Sequence, residues 1–293
     1  MLKERVITAI VLLMVIVALA ALSTPGAWMM VSIMLTTAIA YEYGQLIGFR
    51  RITLILYIVS TAVILTIFLL HFKFFPTTWP RSVVDWGAGS VLLIYWALLV
   101  PYILKNRLQI YYGLTGAVLG YLMFVNLGIT VAALFAHKTS IGLTSLKEIN
   151  FVILYLIILV WVADSAAYFV GKIFGQHKLA LSLSPGKSVE GVIGGVLTVM
   201  VYSALYFAFL HQYLSLQAKV MSLFFFVLLS IPLSLLSVIG DLLESYLKRT
   251  AGVKDSGRLF PGHGGVYDRM DAQVAVLTLY PLYQAVLGLI GGI

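Results

Sequence analysis

The sequence predicts an all-α fold: a polytopic integral membrane protein of about nine transmembrane helices, with its N-terminus in the cytoplasm. Three observations lead there. Of the 293 residues, 61% are hydrophobic and 10% are charged, with a mean hydropathy of +1.04, whereas a soluble domain is typically about 25% charged. Apolar stretches of about 20 residues, the length that crosses a bilayer, recur along the chain. Lys and Arg are divided unevenly between alternate loops. Disorder, collagen-like repeats and a water-soluble enzyme are excluded by the composition alone. The absence of cysteine excludes a disulfide framework, a thiolate metal site and a Cys nucleophile.

Taken in order, the apolar stretches run from Val6 to Leu22, Ala27 to Gly48, Ile52 to Leu70, Val83 to Leu104, Tyr111 to Ala136, Asn150 to Phe174, Val189 to His211, Val220 to Leu247, and Ala272 to Ile293. The first follows Lys3 and Arg5 and has the shape of a signal peptide. Eight further stretches follow it, so it reads as an uncleaved helix. Breakers fall between stretches, with Pro25-Gly26 after the first and Pro76 to Pro80 after the third. A cytoplasmic N-terminus puts Lys3, Arg5, Arg50, Arg51, Lys105, Arg107, Lys172, Lys178, Lys187, Lys248, Arg249, Lys254, Arg258 and Arg269 inside. Only Lys73, Arg81, Lys138, Lys147 and Lys219 fall outside. Topology thus accounts for the net charge of +8 without a nucleic-acid partner, and it leaves the C-terminus outside.

Charge is scarce, and it is concentrated. Ten charged residues lie between Asp241 and Asp271: Asp241, Glu244, Lys248, Arg249, Lys254, Asp255, Arg258, Asp268, Arg269 and Asp271. Asp241, Glu244, Ser245 and Lys248 follow the i, i+3, i+4, i+7 spacing of one helical face, with Leu242, Leu243 and Leu247 opposite. Gly252, Gly257, Gly262, Gly264, Gly265 and Pro261 then build a loop whose amides can turn towards phosphate oxygens. Asp268 and Asp271, three apart, project from one face where the last helix begins. Asp241, Asp268 and Asp271 together can hold a hard cation such as Mg²⁺, while Lys248, Arg249, Lys254, Arg258 and Arg269 supply charge for phosphates. Glu244 also has an ordinary explanation, an i+4 pair with Lys248.

A second patch runs from Asp164 to Gly191. Asp164 lies inside an apolar segment, where an acid is a functional candidate, and shares a face with Tyr168 and Lys172. Gly186-Lys187-Ser188 matches the end of a P-loop, but that motif needs glycine where Leu181 stands. Lys187, flanked by Pro185 and Ser188 at a helix start, can still contact phosphate. His263 is the one histidine of the cluster, and without HExxH or a second nearby histidine it does not point to zinc. It reads as a hydrogen-bonding or phosphate-contacting group. In the first half, which reads as scaffold, Glu42 is the only acid inside a span and is expected to be an interfacial carboxylate near Arg50 and Arg51.

The stretch Ser245-Tyr-Leu-Lys-Arg, then Lys254-Asp255-Ser-Gly, then Pro261-Gly-His-Gly-Gly-Val-Tyr-Asp-Arg-Met-Asp271 closely resembles the signature of CDP-diacylglycerol synthases, also called phosphatidate cytidylyltransferases. Asp164-Ser-Ala-Ala-Tyr-Phe-Val-Gly-Lys and Ser184-Pro-Gly-Lys-Ser-Val-Glu-Gly191 are similar to that family's second region. Ala272 stands where serine is common. The resemblance covers the C-terminal half in detail and the rest in outline. It implies the reaction of CTP with phosphatidate to give CDP-diacylglycerol and pyrophosphate, with Mg²⁺ on Asp241, Asp268 and Asp271. It also implies a second, monovalent cation such as K⁺, a homodimer, and a polar cavity open to cytoplasm and lipid.

On this reading residues 1–149 are scaffold helices with dimer and lipid contacts. Residues 150–293 are the catalytic helices, with cytoplasmic loops 172–188 and 248–269. Catalysis is expected from Asp241, Asp268, Asp271, Lys248, Arg249 and Arg269. Substrate contacts are expected from Lys187, Ser188, Glu190, Asp164, Ser245, Lys254, Asp255, His263, Gly264 and Gly265. The expected location is the bacterial inner membrane, with the site facing the cytoplasm. An ion-coupled transporter and a CTP-dependent polyprenol kinase are the competing readings.

Overall fold

A computed structural model describes residues 25–74, 90–108, 113–136, 146–210, 223–259 and 264–279, together with residue 282. The expected first span and most of the ninth lie outside the described residues. The helices are α1 (Pro25–Leu46), α2 (Arg51–Phe74), α3 (Ser90–Asn106), α4 (Leu114–Ala136), α5 (Leu146–Phe174), α6 (Val189–Leu210), α7 (Leu223–Thr250) and α8 (Tyr267–Thr278). Between α5 and α6 an antiparallel hairpin pairs β1 (Lys178–Ala180) with β2 (Ser184–Ser188). That hairpin corrects the strictly all-α expectation. Its strands are too short and too poor in β-branched residues to announce themselves.

Among the described residues five helices are long and apolar enough to cross a membrane: Arg51–Leu70, Leu114–Val131, Leu154–Phe174, Val189–Phe209 and Leu223–Thr250. Their outer faces carry large exposed apolar side chains. On α6, Ile193, Leu197, Val201 and Leu205 are exposed at a spacing of four, a stripe that suits lipid and not water. The molecule is an integral membrane protein.

Proline explains the irregular helix. Pro101 cannot donate to the helical ladder and its ring would meet the carbonyl one turn back. The wider π-turn over Tyr95–Leu99, immediately before, accommodates it. That turn buries Trp96, whose indole N–H donates to Thr278 Oγ1 on α8 at 2.8 Å.

The short helix α8 lies at the centre. Every residue from Ala272 to Leu279 is buried, and α8 packs on α7, α4, α5 and α1. The part from Ala272 onward carries no charge and is buried on all sides, whereas the charged first turn, Asp268, Arg269 and Asp271, is half-buried or exposed. At Gly240 of α7 an added Cβ would come 2.6 Å from the Asp271 carbonyl oxygen, so glycine there sets the closeness of α7 to α8. The acids of the two helices are thereby brought together.

Candidate functional site: an acidic cluster flanked by two lysines

Helix α7 carries its polar stripe to the end of the bundle and then stops at Gly252. There φ is +71°, while Val253 N–H donates to the Lys248 carbonyl at 3.0 Å and Gly252 N–H to the Arg249 carbonyl at 3.2 Å. This paired closure needs a left-handed residue, which glycine supplies without strain. The chain turns back so that the loop after α7 and the start of α8 face the stripe.

Three carboxylates meet there. Asp241 and Glu244 from α7 and Asp271 from α8 bring one oxygen each to within 4.8 Å of one another. Glu244 is 1% exposed, and its Oε1 is buried without a hydrogen-bond partner. Its other oxygen, Oε2, lies 2.6 Å from Lys248 Nζ. The i+4 pair with Lys248 expected from the sequence is therefore formed, through Oε2. Burial first, and the Asp241 carboxylate second, push the Asp271 carboxyl well above the usual carboxylate range, and Asp164 adds to the effect. Acids crowded in this way are stabilised by a cation, and a buried oxygen without a donor gives such a cation a ligand. The donor set is all oxygen, which fits a hard ion such as Mg²⁺.

Two lysines flank the cluster. Lys187, on β2, places Nζ 2.5 Å from Asp241 Oδ2. Ser245 Oγ donates to Asp241 Oδ1 at 3.3 Å. Lys248 lies on the other side, 2.6 Å from Glu244 and 2.8 Å from Asp268. Asp164 is near enough to Asp241 and Lys187 to feel both charges.

Asp268, expected as the third member of the metal set, is held differently. Lys248 donates to Oδ1 at 2.8 Å. Oδ2 accepts from Ser256 N–H at 2.8 Å, Gly265 N–H at 2.8 Å and Ser256 Oγ at 3.0 Å. Burial opposes its ionisation. Hydrogen bonds from Lys248 and Gly265 outweigh burial and hold the carboxyl well below the usual carboxylate range. Gly264, at φ +83°, gives the turn that points the Gly265 amide at this carboxylate.

The remaining candidates fall around this centre. Ser188 is buried at the start of α6, where its Oγ accepts from Gly191 N–H at 3.1 Å. Glu190 accepts from His177 Nδ1 at 2.5 Å and from the Gln176 and His177 amides at 3.2 Å, closing the end of α5 onto the hairpin. Lys254 and Asp255 are exposed and, with Arg258, line a groove of about 1160 Å³ between the loop after α7 and helices α1 and α2. Arg249 and Arg269 are exposed near the lysines. His263 lies outside the described residues.

Glu42 overturns its expected role. It is 2% exposed and turned inward, and it accepts hydrogen bonds from Ser256 Oγ, Val266 N–H and Tyr267 N–H at 2.9, 3.0 and 2.8 Å. Its position near Arg50 and Arg51 in sequence gave no sign of partners more than two hundred residues away. The only available signal was that it is the one acid inside a span of the first half.

Comparison with known proteins covers nearly the whole chain at the family level. Residues 3–287 match the cytidylyltransferase family. Among curated relatives, a phosphatidate cytidylyltransferase of Haemophilus influenzae is 47% identical over 133 residues, 45% of this chain and 45% of the relative. Proteins of the same name from Staphylococcus haemolyticus and Staphylococcus aureus are 41% identical over 127 residues and 42% identical over 129 residues, in each case 43% of this chain and 46% of the relative. Each aligned stretch thus spans about half the length of the curated relative it matches.

Proposed function

Because the chain belongs to the cytidylyltransferase family, we propose that it transfers a cytidylyl group from CTP to phosphatidate, giving CDP-diacylglycerol and pyrophosphate. The observation that carries the reading at the site is the partnerless Glu244 oxygen beside Asp241 and Asp271, set between Lys187 and Lys248. A cation site flanked by two ammonium groups suits a substrate that arrives with a triphosphate and a second phosphate.

Asp241, Glu244 and Asp271 would hold Mg²⁺, with Asp268 beside them, and the ion would supply charge neutralisation on the CTP phosphates. The residues do the positioning. Lys187 and Lys248, with Arg249 and Arg269 at the rim, offset charge on the phosphatidate phosphate and the departing pyrophosphate. Phosphatidate is already an anion near neutral pH, so its oxygen attacks the α-phosphorus without a strong base. One phosphoanhydride bond forms as the α–β bond breaks, and pyrophosphate leaves with the electron pair. The groove lined by Lys254, Asp255 and Arg258 on one side and by apolar residues of α1 and α2 on the other suits an amphiphile with an anionic head.

The same reading places the protein in the bacterial inner membrane as a homodimer of about nine-span subunits, with the N-terminus and the site on the cytoplasmic side. The second, monovalent cation such as K⁺ belongs to it as well. The test is incubation of purified protein with phosphatidate, Mg²⁺ and CTP labelled at the α-phosphate. Label should move into the lipid fraction. Label confined to aqueous nucleotide overturns the proposal, and transfer from γ-labelled CTP instead identifies a lipid kinase.

A further inference from the structure

Glu42 is a buried acid placed where a hydroxyl or amide cap would serve. Helix starts are usually satisfied by Ser, Thr, Asn or Asp from the adjacent residues. Here the acceptor comes from α1, separated by 224 residues from Val266 and by 225 from Tyr267. Desolvating a carboxylate costs several kcal/mol unless donors surround it. Three donors do so, and the positive end of α8 adds to them. The fit is tight, because a Cβ at Gly257 or at Gly265 would run into the Glu42 carboxylate.

Ser256 joins this carboxylate to the site. Its Oγ lies 2.9 Å from Glu42 Oε2 and 3.0 Å from Asp268 Oδ2. A hydroxyl has one proton, so it serves one of the two carboxylates at a time. Ser256 N–H, Gly265 N–H and Lys248 complete the shell around Asp268, and Lys248 in turn holds Glu244. A continuous polar chain therefore runs from α1 through Ser256, Asp268 and Lys248 to the acidic cluster.

We propose that Glu42 is a positioning residue for the reaction, seating Ser256 and the start of α8 at Val266 and Tyr267 so that Asp268 holds Lys248 at the edge of the acidic cluster. The inference rests on the cytidylyl-transfer reading above. Glu42 acts through Ser256 and Asp268. Two acceptor oxygens are needed, because a side-chain amide would turn N–H groups towards a backbone N–H at one of the two positions.

The experiment compares Glu42→Gln, Glu42→Asp and Ser256→Ala with the wild type. It measures label transfer into phosphatidate against CTP and Mg²⁺ concentration, and the folded fraction by size exclusion. In folded protein, Glu42→Gln should lower kcat on the order of 10- to 100-fold while KM for CTP stays within about twofold, the scale expected of a group that orients a ligand-holding residue. Glu42→Asp, which keeps both acceptor oxygens, should recover most of that loss. Ser256→Ala should lower kcat about tenfold in fully folded protein. A Glu42→Gln protein at wild-type kcat overturns the proposal. So does Gln outperforming Asp, or a loss no larger than the unfolded fraction. If neither Glu42 variant folds, wild-type kcat in Ser256→Ala is the overturning result. No transfer by the wild type itself overturns the reaction and the positioning role together.

Discussion

Two groups of carboxylates lie side by side in this protein and are treated in opposite ways. Glu42 and Asp268 are well supplied with donors: two backbone amides reach the first, Lys248 and two backbone amides reach the second, and the Ser256 hydroxyl serves one or the other. Asp241, Glu244 and Asp271 are crowded together, and one of their oxygens is buried without a donor. The same side-chain chemistry thus does two jobs. A saturated carboxylate fixes the backbone around it, whereas a crowded set offers oxygens that could hold a cation. Position in the sequence does not separate the two, since Asp268 and Asp271 are a turn apart on one helix.

The sharpest way to break this contrast is to remove one charge from each group. Asp241→Asn and Asp271→Asn should each lower turnover on the order of 1000-fold, because a cation site loses a ligand. Measured without Mg²⁺, the unfolding temperature of Asp271→Asn should equal or exceed the wild type's, since a buried acid crowded against Asp241 becomes a neutral amide. Asp268→Asn should behave differently. It should lose about 2–4 kcal/mol of stability as Lys248 and two backbone amides lose an anionic acceptor, and turnover should fall on the order of 100-fold. Thermal scans showing Asp271→Asn and Asp268→Asn equally destabilised would erase the distinction.

A smaller effect tests the orphan oxygen. Glu244→Gln should leave the protein folded and active at saturating Mg²⁺ but should need on the order of 10-fold more of the ion for half-maximal rate. An unchanged Mg²⁺ titration would remove Glu244 from the cation site. The smallest effect is on pH dependence. Asp268 is held below the usual carboxylate range, so its contribution to stability is complete above the unfolded value of about 4 and is lost as pH falls from there through the folded value. Stability followed from pH 6 to pH 3 should drop less in Asp268→Asn than in the wild type. Parallel curves would mean that the carboxylate adds nothing.

Much of this was legible in the sequence, and what was not has physical reasons. Helices α2 and α4 to α7 announce themselves because about 20 apolar residues in a row leave little alternative. The stripe Asp241, Glu244, Ser245, Lys248 is readable because helical periodicity places those residues on one face. The approach of Asp271 to Asp241 is readable in kind, since both end up at one mouth. The division of labour between Asp268 and Asp271 is not, because it depends on where the Ser256 and Gly265 amides point. Glu42 is the clearest loss. Local patterns carry information about neighbours, and its donors come from the far end of the chain. The hairpin of Lys178 to Ser188 is missed for another reason: its strands are short, and Pro185 and Gly186 read as a loop.

The distance in sequence between Glu42 and its donors is also a delay in time. At about 5–20 residues per second of synthesis, the 225 residues to Tyr267 take on the order of 10–45 seconds to appear. Until then α1 carries an acid whose final environment has not been made, and closing the early helices around it would leave a buried charge without donors. The buried polar contacts of the first half are thus completed only when Ser256, Val266 and Tyr267 have been made.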